Sequence, residues 1–459
     1  MTESYDVIVI GSGQAGPPLA VRMAQQGLRT VLIEREHIGG TCVNDGCTPT
    51  KTLVASARVA HLARRAADYG VRLGGGVDVD MVAVKARKDR VVQTSLDSLG
   101  AWLARTPNLE VEMGAARFVG PHAIAVGART LSAPRVFINT GGRPLVPDWP
   151  GLAEVPYLTN ISMMAMDRLP RHLIVVGGSY IGLEFAQMYR RFGSEVTVLE
   201  YADRLIARED PDVSATIREI LEAEGITVRC GVRDAKVAPH MAGVRVDALV
   251  ASQPYSVIGS DLLFAIGRRP NVEDLDLEAT GVRLDARGFI AVDDQLQTSA
   301  EGIWALGDVN GRGAFTHTSY NDYEIVAANL LDGGSRRISD RITAYALFTD
   351  PPLGRVGMTE AEVRATGRPA LTGHMPMARV GRARERGETQ GFMKVHVDRE
   401  TKLILGAALL CVEADEIVHS LLDVMAARAP YTVIKQAMHI HPTVSELIPT
   451  MFGELQPLS

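Results

Sequence analysis

The chain has 459 residues, more than one hydrophobic core usually serves, so we expect roughly two to four domains. It is 46% hydrophobic and 22% charged with a net charge of −6, which offers no basic surface for nucleic acid or anionic membranes, and no apolar run is long enough to span a bilayer. The first residues, MTESYDVIVIGSGQAG, lack the basic start of a signal peptide, so we expect a cytoplasmic protein.

The first predicted elements form a dinucleotide-binding unit. A buried strand over residues 6–10 runs into a glycine-rich turn, a helical stretch follows, and a second strand, TVLIE, ends at Glu34. In this pattern the glycines let backbone N–H groups approach a pyrophosphate, and the acidic residue accepts hydrogen bonds from a ribose. The glycines of this G-x-G-x-x-G motif are Gly11, Gly13 and Gly16.

The next segment, GGTCVNDGCTPTK (residues 39–51), contains Cys42 and Cys47. A metal site would need further cysteine or histidine ligands nearby, and a permanent disulfide is disfavoured in the cytoplasm. Thr48 is the predicted N-cap of a helix and Pro49 its first residue, so Cys47 would lie just before a helix N-terminus, whose dipole stabilises a thiolate. The pair is therefore predicted to be redox-active.

A second dinucleotide-binding pattern follows. HLIVVGGSYIGLEFA contains Gly177, Ser179 and Gly182 after a strand, and VTVLE ends at Glu200. The acidic residue follows the first glycine at the same distance in both units, from 11 to 34 and from 177 to 200, which favours two bound dinucleotides. Glu200 would repel a 2′-phosphate and so favours NADH, although the nearby Arg204 leaves NADPH as an alternative.

The cysteine segment resembles the redox-disulfide motif of the flavin-dependent pyridine nucleotide–disulfide oxidoreductases, and the resemblance covers essentially the whole chain. It implies an α/β fold with two Rossmann-like domains, the first for FAD and the second for NADH or NADPH, plus an α+β C-terminal dimerisation domain. INTGGRP and FAIGRRPN resemble the crossings between the first two domains. The expected domains are residues 1–147 with 262–338 for FAD, 148–261 for NAD(P)H, and 339–459 for dimerisation.

The same resemblance implies the roles of the site residues. Cys42 would be the thiol that meets the substrate, and Cys47 the thiol stacked on the flavin. Lys51 would pair with Glu184 near the reactive edge of the flavin, and Tyr180 would cover the nicotinamide pocket. FAD contacts are expected from Gly11, Gly13, Gly16, Glu34, Gly40, Thr41, Lys51, Thr140, Gly141 and Asp308. NAD(P)H contacts are expected from Gly177, Gly182, Glu200 and Gly267.

Near the C-terminus, HIHPTVSELIP (residues 439–449) resembles the HxHPTxSE motif of lipoamide dehydrogenase. Exchange between thiols and a disulfide also moves protons, which a histidine near neutral pH can carry. A carboxylate on the far ring nitrogen fixes the tautomer of such a histidine. His441 is the predicted base and Glu446 its orienting partner. The resemblance implies a homodimer in which His441 reaches the disulfide of a partner subunit.

Absent and altered motifs narrow the substrate. The last cysteine is Cys411, so the chain lacks the C-terminal cysteine pair with which mercuric reductase passes Hg(II) inward. THTSYND (residues 316–322) replaces the AHKA of lipoamide dehydrogenase, and with DPPLGRVGMTE it resembles the reactive-chlorine-resistance flavoproteins most. We therefore expect reduction of a small disulfide or of a thiol-reactive oxidant such as hypothiocyanous acid, or of a metal ion, and no resident metal. Dihydrolipoamide dehydrogenase, a flavin-bearing structural subunit and a redox sensor are the alternatives.

Overall fold

The computed structural model describes residues 2–458 and has the predicted α/β architecture. The first sheet is parallel, and its central strands are apolar runs buried on both faces. Its strand order is Ile303–Ala305, Arg135–Ile138, Val7–Ile10, Thr30–Glu34 and Leu109–Met113. Because the strand over 303–305 pairs with the one over 135–138, the chain returns to the first unit after building the second.

A second parallel sheet is built from the intervening residues. Its strand order is Thr227–Arg229, Glu195–Leu199, His172–Val176 and Asp261–Phe264. An antiparallel sheet of Val232–His240, Gly243–Val250 and Gln253–Gly259 packs against it, since side chains of both sheets share one hydrophobic core. The domain boundaries given above remain a prediction, although the strands follow the expected division.

The C-terminal part of the chain forms a six-stranded antiparallel sheet covered by helices. Its strand order is Ala344–Leu347, Leu353–Gly357, Ile404–Leu410, Phe392–Asp398, Ala370–Pro376 and Gln456–Pro457. The two strands over 392–398 and 404–410 are buried along their whole length. The second is entirely apolar, whereas the first also buries Lys394, His396 and Asp398.

The remaining elements lie outside these four sheets. Further strands are Thr2–Ser4, Ala116–Gly120, Ala123–Val126, Arg129–Ser132, Gly142–Pro144 and Arg268–Pro270. The α-helices are Gly16–Gln25, Gly40–Asn44, Cys47–Arg64, Met81–Ala104, Asn160–Ala165, Tyr180–Phe192, Pro211–Ala223, Thr316–Leu331, Glu360–Ala365, Gly381–Glu385, Ala414–Ala426, Thr432–Gln436 and Ile448–Gly453. Among residues 2–458, none of these helices is both long and apolar enough to cross a membrane.

Two local details position the site. The predicted crossings form an antiparallel ribbon in which Gly142–Pro144 pairs with Arg268–Pro270. The predicted helix start at Thr48 is wrong, because the carbonyl of Gly46 already accepts a hydrogen bond from the Thr50 N–H at 3.0 Å. The helix therefore begins at Cys47, which lies in its first turn rather than before it.

Candidate active site

Both glycine turns and the cysteine pair open into one continuous cleft of 2410 Å³. The turns follow the carboxyl ends of the strands Val7–Ile10 and His172–Val176. In open α/β sheets this is the place where ligands bind. The cleft is thus long enough to connect two nucleotide sites with the thiols that lie between them.

The first glycine turn is shaped for a dinucleotide. Gly11 has a φ of +99°, and a Cβ there would overlap the backbone carbonyl of Asn139. The Asn139 side chain accepts the N–H of Gly16 at 3.0 Å and so holds the turn. Beyond the turn, Glu34 Oε2 accepts the backbone N–H of Ser12 at 2.9 Å and its hydroxyl at 2.6 Å. A bare backbone cradle ending at a fixed carboxylate fits the pyrophosphate and ribose of FAD.

The second turn repeats this geometry. Gly177 has a φ of +110°, and a Cβ there would overlap the carbonyl of Ala265. Glu200 accepts hydrogen bonds from the backbone N–H groups of Gly178 and of Ala202, the latter at 2.6 Å. The glycine turn and the carboxylate of Glu200 fit the pyrophosphate and ribose of NAD(P)H.

Arg204, the residue that left the choice of nicotinamide nucleotide open, is engaged elsewhere. Its guanidinium donates to the backbone carbonyls of Ala207 at 2.9 Å and of Glu209 at 3.4 Å. The carboxylate of Glu200 lines the cleft while Arg204 does not. Glu200 therefore lines this part of the cleft without Arg204, but Arg208 and Arg233 also line the cleft, so the preference for NADH stays a prediction.

The two cysteines lie side by side at the centre of the cleft. Cys47 is in the first turn of the helix Cys47–Arg64, and its Sγ is 3.1 Å from Thr316 Oγ1. Cys42 lies on the short helix Gly40–Asn44, and its thiol hydrogen-bonds to Cys47. Gly46 allows the close approach of the two helices, since a Cβ there would lie 2.7 Å from the carbonyl of Thr41.

The two thiols have opposite acidities. The hydrogen bond from Cys42 lowers the pKa of Cys47 to about 6, against the effect of burial, and the Thr316 hydroxyl and the Lys51 charge lower it further. The same hydrogen bond, together with burial, raises the pKa of Cys42. At neutral pH, Cys47 is therefore a thiolate and Cys42 keeps its proton.

Lys51 lies one helical turn after Cys47 and forms an ion pair with Glu184. The distance from Lys51 Nζ to Glu184 Oε2 is 2.8 Å, and the Glu184 side chain is only 5% exposed. The other oxygen of Glu184 accepts the N–H of Phe348 at 3.0 Å, and the Phe348 ring lies 4.6 Å from Lys51 Nζ. This pair is enclosed and doubly supported, unlike a solvated surface ion pair.

Asp308 and the crossing ribbon close the cleft on its other side. Arg268 Nε is 3.4 Å from Asp308 Oδ2, and Arg268 Nη2 donates to Thr41 Oγ1 at 3.2 Å. Burial raises the pKa of Asp308, with Arg268 opposing. The Thr140 hydroxyl donates to the carbonyl of Asn271 at 2.7 Å and ties the ribbon together.

One residue between the cysteines is held in an unusual state. Asp45 lines the cleft, and its Oδ1 is buried with no hydrogen-bond partner among the described residues. Burial raises the pKa of Asp45 to about 6, with Arg268 and His37 opposing. Because Asp45 lies between the two cysteines, we predict that it influences the potential of the pair or repels anionic substrates.

Tyr180 is the first residue of the helix Tyr180–Phe192 and lines the cleft beside Glu184. Its ring meets that of Phe315 edge to face, with 5.8 Å between centroids. Phe315 directly precedes Thr316, so Tyr180 stands between the second glycine turn and Cys47. This is a position from which a ring can cover a nicotinamide.

His441 and Glu446 form the expected pair outside the cleft. His441 Nδ1 is 2.7 Å from Glu446 Oε2, which leaves Nε2 free to exchange a proton. The His441 side chain is 81% exposed, whereas that of Glu446 is 12% exposed. The dyad is preformed, but it faces solvent.

Most of the predicted residues are brought together by the fold. The cleft is lined by Gly11, Gly13, Glu34, Gly40, Thr41, Cys42, Cys47, Lys51, Thr140, Gly141, Gly177, Tyr180, Glu184, Glu200, Gly267 and Asp308. Gly16 and Gly182 lie behind the turns, where a Cβ would overlap the carbonyls of Gly11 and Gly177. Sequence reasoning missed Thr316, Arg268 and Phe348, because no local motif links them to the cysteines.

The chain was then compared with known proteins. Residues 5–322 match the family model described as "Pyridine nucleotide-disulphide oxidoreductase", and residues 343–452 match the dimerisation domain of the same family. The chain is 37% identical over 457 residues to the Escherichia coli protein named "Probable pyridine nucleotide-disulfide oxidoreductase RclA", with 98% of this chain and 99% of that one covered.

Two other kinds of relative are similar along most of their length. A dihydrolipoyl dehydrogenase of Thermus scotoductus is 33% identical, with 97% of this chain and 96% of that one covered. A mercuric reductase of Lysinibacillus sphaericus is 31% identical, with 91% and 76% covered. Among solved structures, the "HOCl-induced flavoprotein disulfide reductase RclA from Escherichia coli" superposes with a TM-score of 0.89 at 36% identity, covering 98% of this chain and 100% of that one.

Proposed function

The chain belongs to the pyridine nucleotide-disulphide oxidoreductase family, and from this premise we propose that it reduces a thiol-reactive oxidant of the hypothiocyanous acid class. The general activity of the family is that of a flavoprotein disulfide oxidoreductase with FAD as cofactor and NAD(P)H as electron donor. The observation that carries the proposal is the arrangement of the pair: Cys42 and Cys47 line one cleft, and Cys47 Sγ lies 3.1 Å from Oγ1 of Thr316, the first residue of the THTSYND segment.

The residues on both sides of the cysteines support a separate site for each cofactor. The first glycine turn with Glu34 and Asp308 would hold FAD, and the second turn with Glu200 would hold NADH. When bound at this site, FAD would supply the two-electron transfer between NAD(P)H and the Cys42–Cys47 disulfide. Lys51, fixed by Glu184, would keep a positive charge beside the thiolate of Cys47.

The oxidant chemistry then needs only the two thiols and a proton carrier. Deprotonated Cys42 attacks the sulfur of HOSCN, which forms Cys42–S–SCN and releases hydroxide. Cys47 attacks the Cys42 sulfur, which closes the disulfide and releases thiocyanate. With the disulfide reduced again, one NADH and one HOSCN give NAD⁺, thiocyanate and water.

His441 would supply the base that Cys42 needs. Because the pKa of Cys42 is raised, this thiol cannot act as a nucleophile near neutral pH unless a base takes its proton. The His441 imidazole, oriented by Glu446, would accept that proton and return it to the released hydroxide. Since the dyad lies outside its own cleft, it would serve the cysteine pair of a partner subunit in a homodimer.

Dihydrolipoamide dehydrogenase is the second candidate, because the 33% identical relative is such an enzyme and the His–Glu pair suits disulfide exchange. The relative described as HOCl-induced supports an oxidant instead. A structural subunit would need neither thiol, and a redox sensor would not need His441.

The deciding experiment is NADH oxidation by the FAD-loaded protein with hypothiocyanous acid, lipoamide and copper(II) as parallel acceptors at matched concentration. We expect kcat/KM for hypothiocyanous acid to exceed that for lipoamide at least about tenfold, since a mixed disulfide with lipoamide needs a shaped pocket. Faster turnover with lipoamide would reject the proposal in favour of a dihydrolipoamide dehydrogenase.

The electron donor is tested in the same assay. Because Glu200 faces the cleft and Arg204 is occupied by backbone carbonyls, we expect kcat/KM to be about tenfold higher for NADH than for NADPH. Glu200→Gln should narrow this ratio by raising kcat/KM for NADPH. Glu195→Gln, at the start of the strand that precedes Glu200, should leave the ratio unchanged. A clear preference of the wild-type protein for NADPH would contradict the expectation.

A further inference from the structure

Glu209 is a buried carboxylate that the chemistry described above does not use. Its side chain is fully buried, and so is that of Arg355 from the strand Leu353–Gly357. Arg355 Nε lies 3.0 Å from Glu209 Oε2, and Arg355 Nη2 lies 3.1 Å from Asp210 Oδ2. A buried carboxylate is tolerated only when it is paired in this way, so a residue of the C-terminal domain fixes the position of Glu209.

The other oxygen of Glu209 is shared by two tyrosines. Tyr345 donates its hydroxyl to Glu209 Oε1 at 2.6 Å, whereas Tyr180 reaches the same oxygen only at 3.4 Å. Tyr345 comes from the strand Ala344–Leu347 of the C-terminal sheet, and Tyr180 from the mouth of the second glycine turn. One carboxylate oxygen therefore makes a short bond to one phenol and a long bond to the other.

The rings of these tyrosines also touch. Tyr180 meets Tyr345 edge to face at 5.5 Å and Phe315 at 5.8 Å, and Phe315 stacks on Tyr345 at 5.3 Å. The Tyr180 ring thus packs edge to face against both rings of a stacked pair. Burial raises the pKa of Tyr180 to about 12 with a further contribution from the Glu209 charge, so its hydroxyl stays a donor at neutral pH.

We propose that Glu209 is a positioning residue that holds the Tyr180 ring across the nicotinamide pocket, and that Tyr345 weakens this hold by taking the shorter hydrogen bond to the same oxygen. A ring that must move aside for each nicotinamide needs a restraint that is definite but easily broken. The long bond at 3.4 Å provides such a restraint. This inference rests on the proposed role of Tyr180 as the cover of that pocket.

The test uses the oxidised, FAD-loaded protein and measures the Kd of NAD⁺ by calorimetry, which requires neither turnover nor an acceptor. In Tyr345→Phe, Tyr180 becomes the sole phenol on Glu209 Oε1, and we expect the Kd to rise about threefold, the size of a modest hydrogen-bond gain in the closed state. Tyr431→Phe, a tyrosine of the same domain outside the cleft, is the control and should leave the Kd unchanged.

A double-mutant cycle completes the test. Tyr345→Phe should have no effect on the Kd in a Tyr180→Phe background, because the hydroxyl that competes is gone. An equal effect in both backgrounds, or a lower Kd in Tyr345→Phe, would overturn the proposed competition. If Tyr180→Ala binds NAD⁺ like the wild type, the role of Tyr180 itself fails, whichever oxidant the enzyme reduces.

Discussion

The cysteine pair and the histidine dyad are the two halves of the proposed catalytic set, and one chain builds them to different degrees. Cys47 has Thr316 Oγ1 at 3.1 Å and lies beside the enclosed Lys51–Glu184 pair. His441 has its carboxylate at 2.7 Å, but its side chain is 81% exposed. The surroundings of the cysteine pair are thus complete within the cleft of one chain, whereas His441 of the dyad is exposed to solvent.

The surroundings of the dyad explain this difference. Met438 is 97% exposed and Ile440 is 78% exposed, so apolar side chains flank His441 on the surface of a single chain. Such a surface is typical of a region that another protein covers. The contrast supports the proposal that proton transfer at Cys42 uses the His441 of a partner subunit.

The largest expected effect comes from removing a thiol. In Cys42→Ser or Cys47→Ser, turnover with hypothiocyanous acid should fall about 10³-fold or more, because neither attack on the oxidant nor closure of the disulfide has a substitute. Steady-state NADH oxidation measures the loss. Bleaching of the bound FAD by NADH should persist, since the nucleotide sites are intact.

Cys230→Ser is the matched control for this prediction. Cys230 is partly buried in the second unit and does not line the cleft, so the variant should turn over like the wild type. Near-normal turnover of Cys47→Ser would mean that the oxidant reacts directly at the flavin. The proposed catalytic set of a cysteine pair and a histidine dyad would then be contradicted.

The next effect tests the second half directly. His441→Ala should reduce turnover about 100-fold, as expected for a lost general base, without changing the bleaching of FAD by NADH. His240→Ala, at the end of the strand Val232–His240, is the control. Mixing the two variants is a more informative experiment than either variant alone. A Cys47→Ser chain keeps its histidine, and a His441→Ala chain keeps its thiols.

Equal amounts of the two inactive variants, dissociated and reassociated, separate the two arrangements. If His441 serves the partner subunit, half of the dimers are mixed and each has one intact site, so about one quarter of the wild-type turnover should return. If each chain uses its own histidine, no intact site forms and the mixture stays inactive. The second result would contradict the division of labour between chains.

The sequence predicted those parts of the fold and site that depend on residues near one another in the chain. The two glycine turns, their acidic residues and the His441–Glu446 pair are local patterns, and all appear with the expected geometry. The start of the helix at Cys47 was misplaced by two residues, because Gly46 is the N-cap and Thr48 was not needed as a cap.

The contacts that tune the site could not be predicted, because they join distant segments. Thr316 reaches Cys47 across 269 positions of the chain, and Arg355 reaches Glu209 across 146. Neither pair has a spacing or a composition that marks it. Burial of Glu209 and Arg355 follows from packing between domains, which hydropathy patterns along the chain do not reveal.

The smallest expected effect concerns the contact between Thr316 and Cys47, and it tests what keeps Cys47 ionised in the cysteine pair. Thr316→Val keeps the shape of the side chain but removes a hydroxyl that helps to lower the pKa of Cys47 to about 6. The pKa of Cys47 should therefore rise. Only the thiolate is alkylated, so near pH 6 iodoacetamide should modify Cys47 more slowly in reduced Thr316→Val than in the reduced wild type. Near about pH 9 the two proteins should react equally fast, because Cys47 is ionised in both. Thr318→Val, two residues on, is the control. A slower reaction at both pH values would instead mean that Thr316 controls access to the sulfur and not its charge.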